Sequence, residues 1–251
     1  MLLSSMNMNK KIITAYKNEG ETWKNALDKR RAELNIPPES KLSIMGRLDE
    51  MAEGLILIGV DVSEEEKQSF ISLDKEYEWS LLLGATTDTY DILGIVESVW
   101  DLHELPHNFI EVCKNPKGKF VLPYPAFSSK NVGGVPMWEH TRLENEVEAP
   151  EREMEIISHE FLGEGEISSK DLLAQIVERV LKVKGDFRQR EIIEAWKKAL
   201  AKDCTLIEVK FRTKVSSGTY IRAIAYSWGQ KLGCGGIALK IKRTQIGKLN
   251  I

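Results

Sequence analysis

Gly46-Arg47-Leu48-Asp49-Glu50-Met51-Ala52-Glu53-Gly54, running straight into Leu55-Ile56-Leu57-Ile58, decides how this chain is read. One acid, Asp49, sits in a turn bracketed by two glycines. The apolar run behind it fits a buried strand or a buried helix. Taken alone, Asp49 would be an ordinary solvated turn residue. Its meaning depends on what surrounds it.

Before the turn, Ile12-Ile13-Thr14-Ala15-Tyr16 reads as a short strand and Lys17 to Glu21 as a turn. Thr22 can cap a helix running from Trp23 toward Leu34, stopped ahead of Pro37-Pro38. After the turn, Ser63-Glu64-Glu65-Glu66 reads as a helix start, with acids at the positive end of the dipole. Glu76 to Leu83 alternates as a strand that puts Tyr77, Trp79, Leu81 and Leu83 on one face. Thr86 to Gly94 is a polar loop, followed by a strand from Ile95 to Trp100. Residues 114–137, rich in Pro and Gly, are expected to be irregular and exposed. Glu153 to Phe161 reads as a strand. Residues 168–200 read as two helices broken at Gly185, with Leu172, Ile176 and Val180, then Ile192, Trp196 and Leu200, at helical spacing. Thr205 to Lys214 is a strand, Tyr220 to Leu232 a helix, and Ile237 to Arg243 a last strand. No internal repeat is present. Hairpin-like strands mixed with helices predict an α+β fold on a mainly antiparallel sheet. The expected organisation is one domain over residues 12–251 behind a tail, residues 1–11.

The 251 residues, 42% of them hydrophobic, suffice for a sizeable core. No apolar run approaches the roughly 20 residues needed to span a bilayer, and Met1 to Lys11 lacks a secretory apolar stretch. A soluble, cytoplasmic protein is expected. Cys113, Cys204 and Cys234 form no Cys-x-x-Cys pair, and the four histidines have no ligand spacing, so neither a disulfide framework nor a metal site is expected. The net charge of −3 conceals an asymmetry. Residues 179–251 hold 17 basic and 5 acidic residues, a balance of +12, so the rest of the chain carries −15. One basic face, suited to nucleic acid, is the expectation.

Four ordered segments resemble the TruB family of pseudouridine synthases. Gly46 to Leu57 is similar to the family's Gly-x-Leu-Asp-Pro-x-Ala-Thr-Gly motif. Lys75-Glu76-Tyr77 with Thr87-Asp88-Thr89-Tyr90-Asp91 resembles its Lys-x-Tyr and Thr-Asp-Thr-x-Asp segment. Pro125 to Lys130, with Glu139 and Arg142, resembles a third segment. Ser217-Gly218-Thr219-Tyr220-Ile221-Arg222, then Lys242-Arg243-Thr244 and Gly247, resembles the family's last two. The likeness runs from Lys17 to Gly247. Departures are Glu50 for the motif proline, Glu53 for its threonine, Ile44 where a base-stacking histidine would fall, Asn131 beside Lys130 at the motif lysine, and Trp138 for a tyrosine.

The resemblance implies the conversion of a uridine in RNA to pseudouridine, with the T-loop uridine of tRNA as substrate. Such a reaction breaks an N-glycosidic bond and makes a C–C bond to the same sugar, with no redox change, so no cofactor is expected. It needs a carboxylate acting on the sugar, which the resemblance assigns to Asp49. A carboxylate stays ionised in a site closed to water only beside a cation, and Arg222 is the implied partner. The base must leave the RNA stack and lie on an aromatic face, which the resemblance assigns to Tyr77. Lys17, Arg47, Lys130, Lys242 and Arg243 are implied phosphate contacts, with Asp88 organising the site or the RNA. Residues 168–200 have no counterpart in the family and read as an inserted helical hairpin. Its Arg179, Lys182, Lys184, Arg188, Arg190, Lys197 and Lys198 are expected to dock RNA at a distance from Asp49. The chain's end at Ile251 implies that the family's small C-terminal RNA-binding domain is absent. RNA is the expected partner of a monomer. Alternatives are an RNA-binding relative without chemistry, a synthase acting on another RNA such as ribosomal RNA, and an unrelated nucleoside glycosidase.

Overall fold

A computed structural model of the protein describes residues 12–250 apart from 115, 117 and 144. The tail expected over residues 1–11 lies outside the described residues. The first strand, β1 (Ile12–Lys17), leads into α1 (Trp23–Glu33), which Thr22 caps with its hydroxyl while Asn25 caps back. A short β2 (Leu42–Ile44) precedes the Asp49 turn, and β3 (Ala52–Val60) follows it. The apolar run is therefore a strand. Its sequence does not alternate because both faces are covered. Ile56 and Ile58 face one core, while Leu55 and Leu57 face a smaller one closed by Phe70, Ile71 and Leu73. Those residues end and follow α2 (Glu64–Ile71), whose Ser63 and Glu66 form the expected reciprocal cap.

The central strand is β4 (Lys75–Leu83). Tyr77, Trp79, Leu81 and Leu83 share one face as expected, and Leu82 points to the other. The loop after it carries a small hairpin, β5 (Ala85–Thr87) with β6 (Val96–Val99). The described residues between 110 and 137, a stretch expected to be irregular from 114 on, are more regular than their Pro and Gly content suggests. They hold a π-helical turn (Ile110–Lys114), β7 (Gly118–Pro123) and a small hairpin of β8 (Asn131–Val132) and β9 (Val135–Pro136), followed by α3 (Met137–Arg142). The strand expected to end at Phe161 is much longer. β10 (Glu151–Ser168) continues through two bulges because it pairs with β7 first and with β11 (Thr205–Val215) along most of its length.

Between β10 and β11 lies the hairpin of α4 (Ser169–Leu181) and α5 (Gln189–Ala199). After β11 come α6 (Ile221–Leu232), β12 (Gly236–Ile246) and β13 (Leu249–Asn250). The main sheet runs β1-β3-β12-β4-β11-β10-β7, with β2 on β3 and β13 on β12. Every pairing is antiparallel except β3 with β12. The fold is thus mixed α+β on a mainly antiparallel sheet. The sheet divides the apolar interior. Ile221, Ile224 and Trp228 of α6 pack on Trp79, Phe211 and Ala238, whereas Leu172, Ile176, Ile192 and Trp196 of the hairpin pack on Leu82, Ile237 and Leu239. Among the described residues no helix is long and apolar enough to cross a membrane.

Candidate active site

The turn that carries Asp49 is held from two sides by buried cations. Lys17, fully buried, donates from Nζ to the carbonyls of Asp49 (3.0 Å), Glu50 (3.3 Å), Ala52 (2.7 Å) and Asn18 (3.2 Å). Burial pulls its pKa down to about 8, against the pull of Glu50 and Asp49. From the other side the buried Arg243 donates to Leu55 O (2.7 Å) and Gly46 O (2.9 Å). Gly54 lies beside Arg243 in the one parallel pairing, and a Cβ there would sit 2.3 Å from the Arg243 carbonyl. Only glycine fits that approach. This corrects the expectation for Lys17 and Arg243. Both are buried and spend their charge on backbone carbonyls around the turn, Lys17 away from either cavity and Arg243 in the wall of the larger one.

Arg222, in the first turn of α6, reaches Asp49 from below. Its Nε donates to Asp49 Oδ2 at 2.8 Å, Nη1 to Thr89 O at 2.6 Å and Nη2 to Phe127 O at 3.2 Å. A second carboxylate, Asp91, stands 3.6 Å from Arg222 Nε. It accepts from Thr89 Oγ1 (2.7 Å) and Leu93 N (2.9 Å). Burial works against the Arg222 charge, yet Asp49 and Asp91 together hold its pKa above the usual guanidinium value. Burial pushes the Asp91 carboxyl up, and Arg222 offsets part of that. A loop aspartate usually caps a turn, which is the ordinary reading of an acid in such a loop. The place of Asp91 beside Arg222 was marked only by its position at the end of Thr87-Asp88-Thr89-Tyr90-Asp91.

Asp49 stands where two cavities meet. The larger, about 950 Å³, is lined by Tyr77, Ile44, Tyr220 and Thr219. The smaller, about 380 Å³, is lined by Arg222, Asp91, Phe127, Phe187 and Arg188. Trp23, Arg47 and Trp138 border both. The structure therefore brings Asp49, Tyr77 and Arg222 to one place. Ile44, at the position of the family's stacking histidine, lies in the same wall as Tyr77. Glu50, in the motif proline's place, faces the smaller cavity, and burial together with the neighbouring Asp49 raises its carboxyl pKa.

The remaining sequence candidates divide. Arg47 is exposed at the mouth, its guanidinium 4.8 Å from the Trp23 ring centre. Lys130 is exposed, 5.5 Å from the Tyr124 ring, and Lys242 is half-buried on β12. Asp88 accepts from Ile95 N with one oxygen and pairs with Arg188 Nη1 at 2.9 Å through the other. Two expectations for the hairpin are corrected. Arg179 is buried, with Nη2 2.6 Å from Glu19 Oε2, because it ties α4 to the turn after β1. Arg188 is not remote from Asp49, because the turn between α4 and α5 folds over the smaller cavity. Arg190, Lys182, Lys184, Lys197 and Lys198 are exposed, Arg190 pairing with Glu194 and Lys182 with Glu178. Among the described residues no group of three or more His, Cys, Asp or Glu is placed to hold a metal ion.

Comparison with known proteins agrees with this architecture. The model of the TruB family pseudouridylate synthase N-terminal domain matches residues 31–178. The tRNA pseudouridine synthase B of Thermosipho melanesiensis is 26% identical over 239 residues, covering 95% of this chain and 64% of that protein. That of Aromatoleum aromaticum is 28% identical over 240 residues, with 96% and 64% covered. That of Chloroherpeton thalassium is 30% identical over 218 residues, with 84% and 72% covered. The chain spans about 64% of the length of the first two. Among solved structures, a Cbf5-Nop10-Gar1 complex superposes with a TM-score of 0.54 at 18% identity, covering 93% of this chain and 48% of that one. A structure of an H/ACA RNP bound to a substrate RNA gives 0.53, also at 18% identity, with 94% and 47% covered. At that identity the likeness is one of fold.

Proposed function

The chain belongs to the TruB family of pseudouridylate synthases, and from that premise we propose that it converts a uridine of RNA to pseudouridine, acting as a monomer on the T-loop uridine of a tRNA. The observation that carries this reading is the Asp49 carboxylate, open to two cavities and backed by a buried arginine. The reaction breaks the bond from N1 to C1′, turns the freed base and joins C5 to C1′. The C5 proton leaves and N1 gains one, so no oxidant or energy source enters. Asp49 acts on the sugar, and Arg222 holds its carboxylate in place through a charge-assisted hydrogen bond. Tyr77, on the wall of the larger cavity, offers the ring on which the extruded base stacks. Arg47, which borders both cavities, meets a phosphate at the mouth in this reading, with the exposed Lys130 and the half-buried Lys242 as further phosphate contacts, and such contacts position the RNA without reading its sequence. The names of the relatives, tRNA pseudouridine synthase B, support tRNA as the substrate class.

Mapping pseudouridines in RNA from cells with and without the chain tests the reading. The expected result is loss of one T-loop pseudouridine, restored by the wild-type chain and not by Asp49→Asn. Loss at a ribosomal position instead would move the substrate. Retention of every pseudouridine would leave an RNA-binding family member without this chemistry.

A further inference from the structure

Arg222 owes its position to two backbone carbonyls, Thr89 O and Phe127 O, supplied by two different loops. The Thr89 loop is anchored on β12, where Ala238 N donates to Tyr90 O at 2.9 Å, and the Phe127 loop on α3, where Trp138 N donates to Ser128 O at 3.1 Å, so each loop has its own anchor and the two are joined by what spans them. Arg188 touches both. Its Nη1 donates to Asp88 Oδ2 at 2.9 Å, one residue from Thr89, and its guanidinium carbon lies 4.7 Å from the centre of the Phe127 ring. We infer that Arg188 is a positioning residue, a brace from the inserted hairpin that holds the two loops carrying Arg222 and thereby aims Arg222 at Asp49.

Two further observations support the brace. Arg188 has φ +60, a left-handed conformation uncommon for a residue with a side chain. The Asp88 loop is also closed tightly on itself, since a Cβ on Gly94 would meet Asp88 Oδ1 at 2.7 Å and Thr89 Oγ1 at 2.4 Å. A pull on Asp88 is therefore transmitted to Thr89. The far end of the brace is fixed as well. The buried Val183 and the nearby Phe187 pack in the core that the hairpin shares with the sheet, and Arg179 pairs with Glu19. A cation stacked on an aromatic ring and paired with a carboxylate is a directional contact that lysine reproduces only in part.

The inference rests on the proposal that Asp49 and Arg222 form the active site, and its test separates the two. In the full chain with 15N-labelled arginine, the Arg222 Nε–H resonance, assigned by its loss in Arg222→Lys, reports the hydrogen bond to Asp49 whether or not any activity is found. Arg188→Ala should speed its exchange with solvent by roughly tenfold or more if the bond opens more often, with Arg188→Lys intermediate. An unchanged exchange rate in a folded Arg188→Ala protein would overturn the brace. Should that variant fail to fold, Asp88→Asn is read the same way. Where turnover on a T-loop RNA is measured, Arg188→Ala should lower kcat by about tenfold with KM within about twofold. Asp88→Asn combined with it should add nothing further. A raised KM at constant kcat with a shallower salt dependence would make Arg188 a phosphate contact instead, and would equally overturn the inference.

Discussion

Arg222 Nε and Asp49 Oδ2 are 2.8 Å apart, yet the arginine side chain is 4% exposed and the aspartate side chain 40%. The cation is locked inside the protein and the carboxylate faces the cavities. That asymmetry suits a group that must reach a sugar while its counter-charge stays fixed, because a preset charge costs no reorganisation during reaction.

Removing the arginine should therefore damage the protein as well as its activity. Arg222→Ala would leave Asp91, buried and 3.6 Å away, without its cation, and Thr89 O and Phe127 O without a donor. Breaking a buried pair typically costs about 3–5 kcal/mol. Urea unfolding of Arg222→Ala should show a loss of that order, and Arg222→Lys a smaller one, since an ammonium cannot form the fork. A variant with unchanged unfolding and unchanged turnover would remove Arg222 from the site.

Lys17→Met tests the reassignment of a residue first read as a phosphate contact. The ammonium binds four carbonyls around the Asp49 turn. Hydrogen bonds to a charged group contribute about 1.5–3 kcal/mol each, and buried carbonyls left bare cost more, so the melting temperature should fall. The salt dependence of RNA binding by the folded fraction should not change, because no phosphate contact is lost. A shallower salt slope with normal melting would restore the phosphate role.

Lys17 and Arg243 also mark the limit of what the residues alone disclosed. A basic residue in a motif announces its charge but not whether it is spent inside or outside, and here the turn's bare carbonyls claimed both. Arg188 was legible as basic and its hairpin as helical, since Leu172 to Val180 and Ile192 to Leu200 keep a 3.6 period. The fold of the hairpin turn over the smaller cavity was not legible, because it follows from how that stripe packs on Leu82 and Leu239. β4, β11 and α6 declared themselves through alternation and helical spacing, whereas β3, covered on both faces, left strand and helix open, and β10 runs on past Phe161 to Ser168. Residues 118–136 did not, because β7 is an edge strand and β8 and β9 are two residues each, held by pairing rather than by an apolar pattern.

Glu50 is predicted to cost stability at neutral pH. Burial, then the adjacent Asp49, raises its carboxyl pKa above the ordinary glutamate value. A carboxyl raised in the folded state contributes stability that is lost as pH rises from the unfolded value through the folded one. Glu50→Gln should thus raise the melting temperature at pH 7 to 8 and leave it nearly unchanged at pH 4. An equal shift at both values would mean that the carboxylate's charge is not the cause.

His159 should give acid sensitivity of the opposite sign. Burial lowers its pKa to about 4, with Nδ1 2.8 Å from Thr213 Oγ1 and Nε2 2.9 Å from Cys113 O. Between pH 6.5 and about 4 the unfolded chain takes up a proton that the folded ring refuses, so stability falls as pH drops through that window. At about 1.4 kcal/mol per unit, the loss is on the order of 2–3 kcal/mol. Urea unfolding at pH 7 and pH 4.5 measures it, and His159→Gln should flatten the difference. A difference that persists undiminished in His159→Gln would place the acid sensitivity elsewhere.

The central claim is that Asp49 is the group that acts on the sugar. The most direct measurement is single-turnover conversion of a T-loop RNA by wild type and Asp49→Asn at saturating enzyme, with binding measured in parallel. The account predicts a folded variant that binds the RNA and loses at least ~10⁴ in rate, roughly 5.5 kcal/mol of barrier. An Asp49→Asn protein that kept more than about a tenth of the wild-type rate, less than about 1.4 kcal/mol of lost barrier, would contradict it.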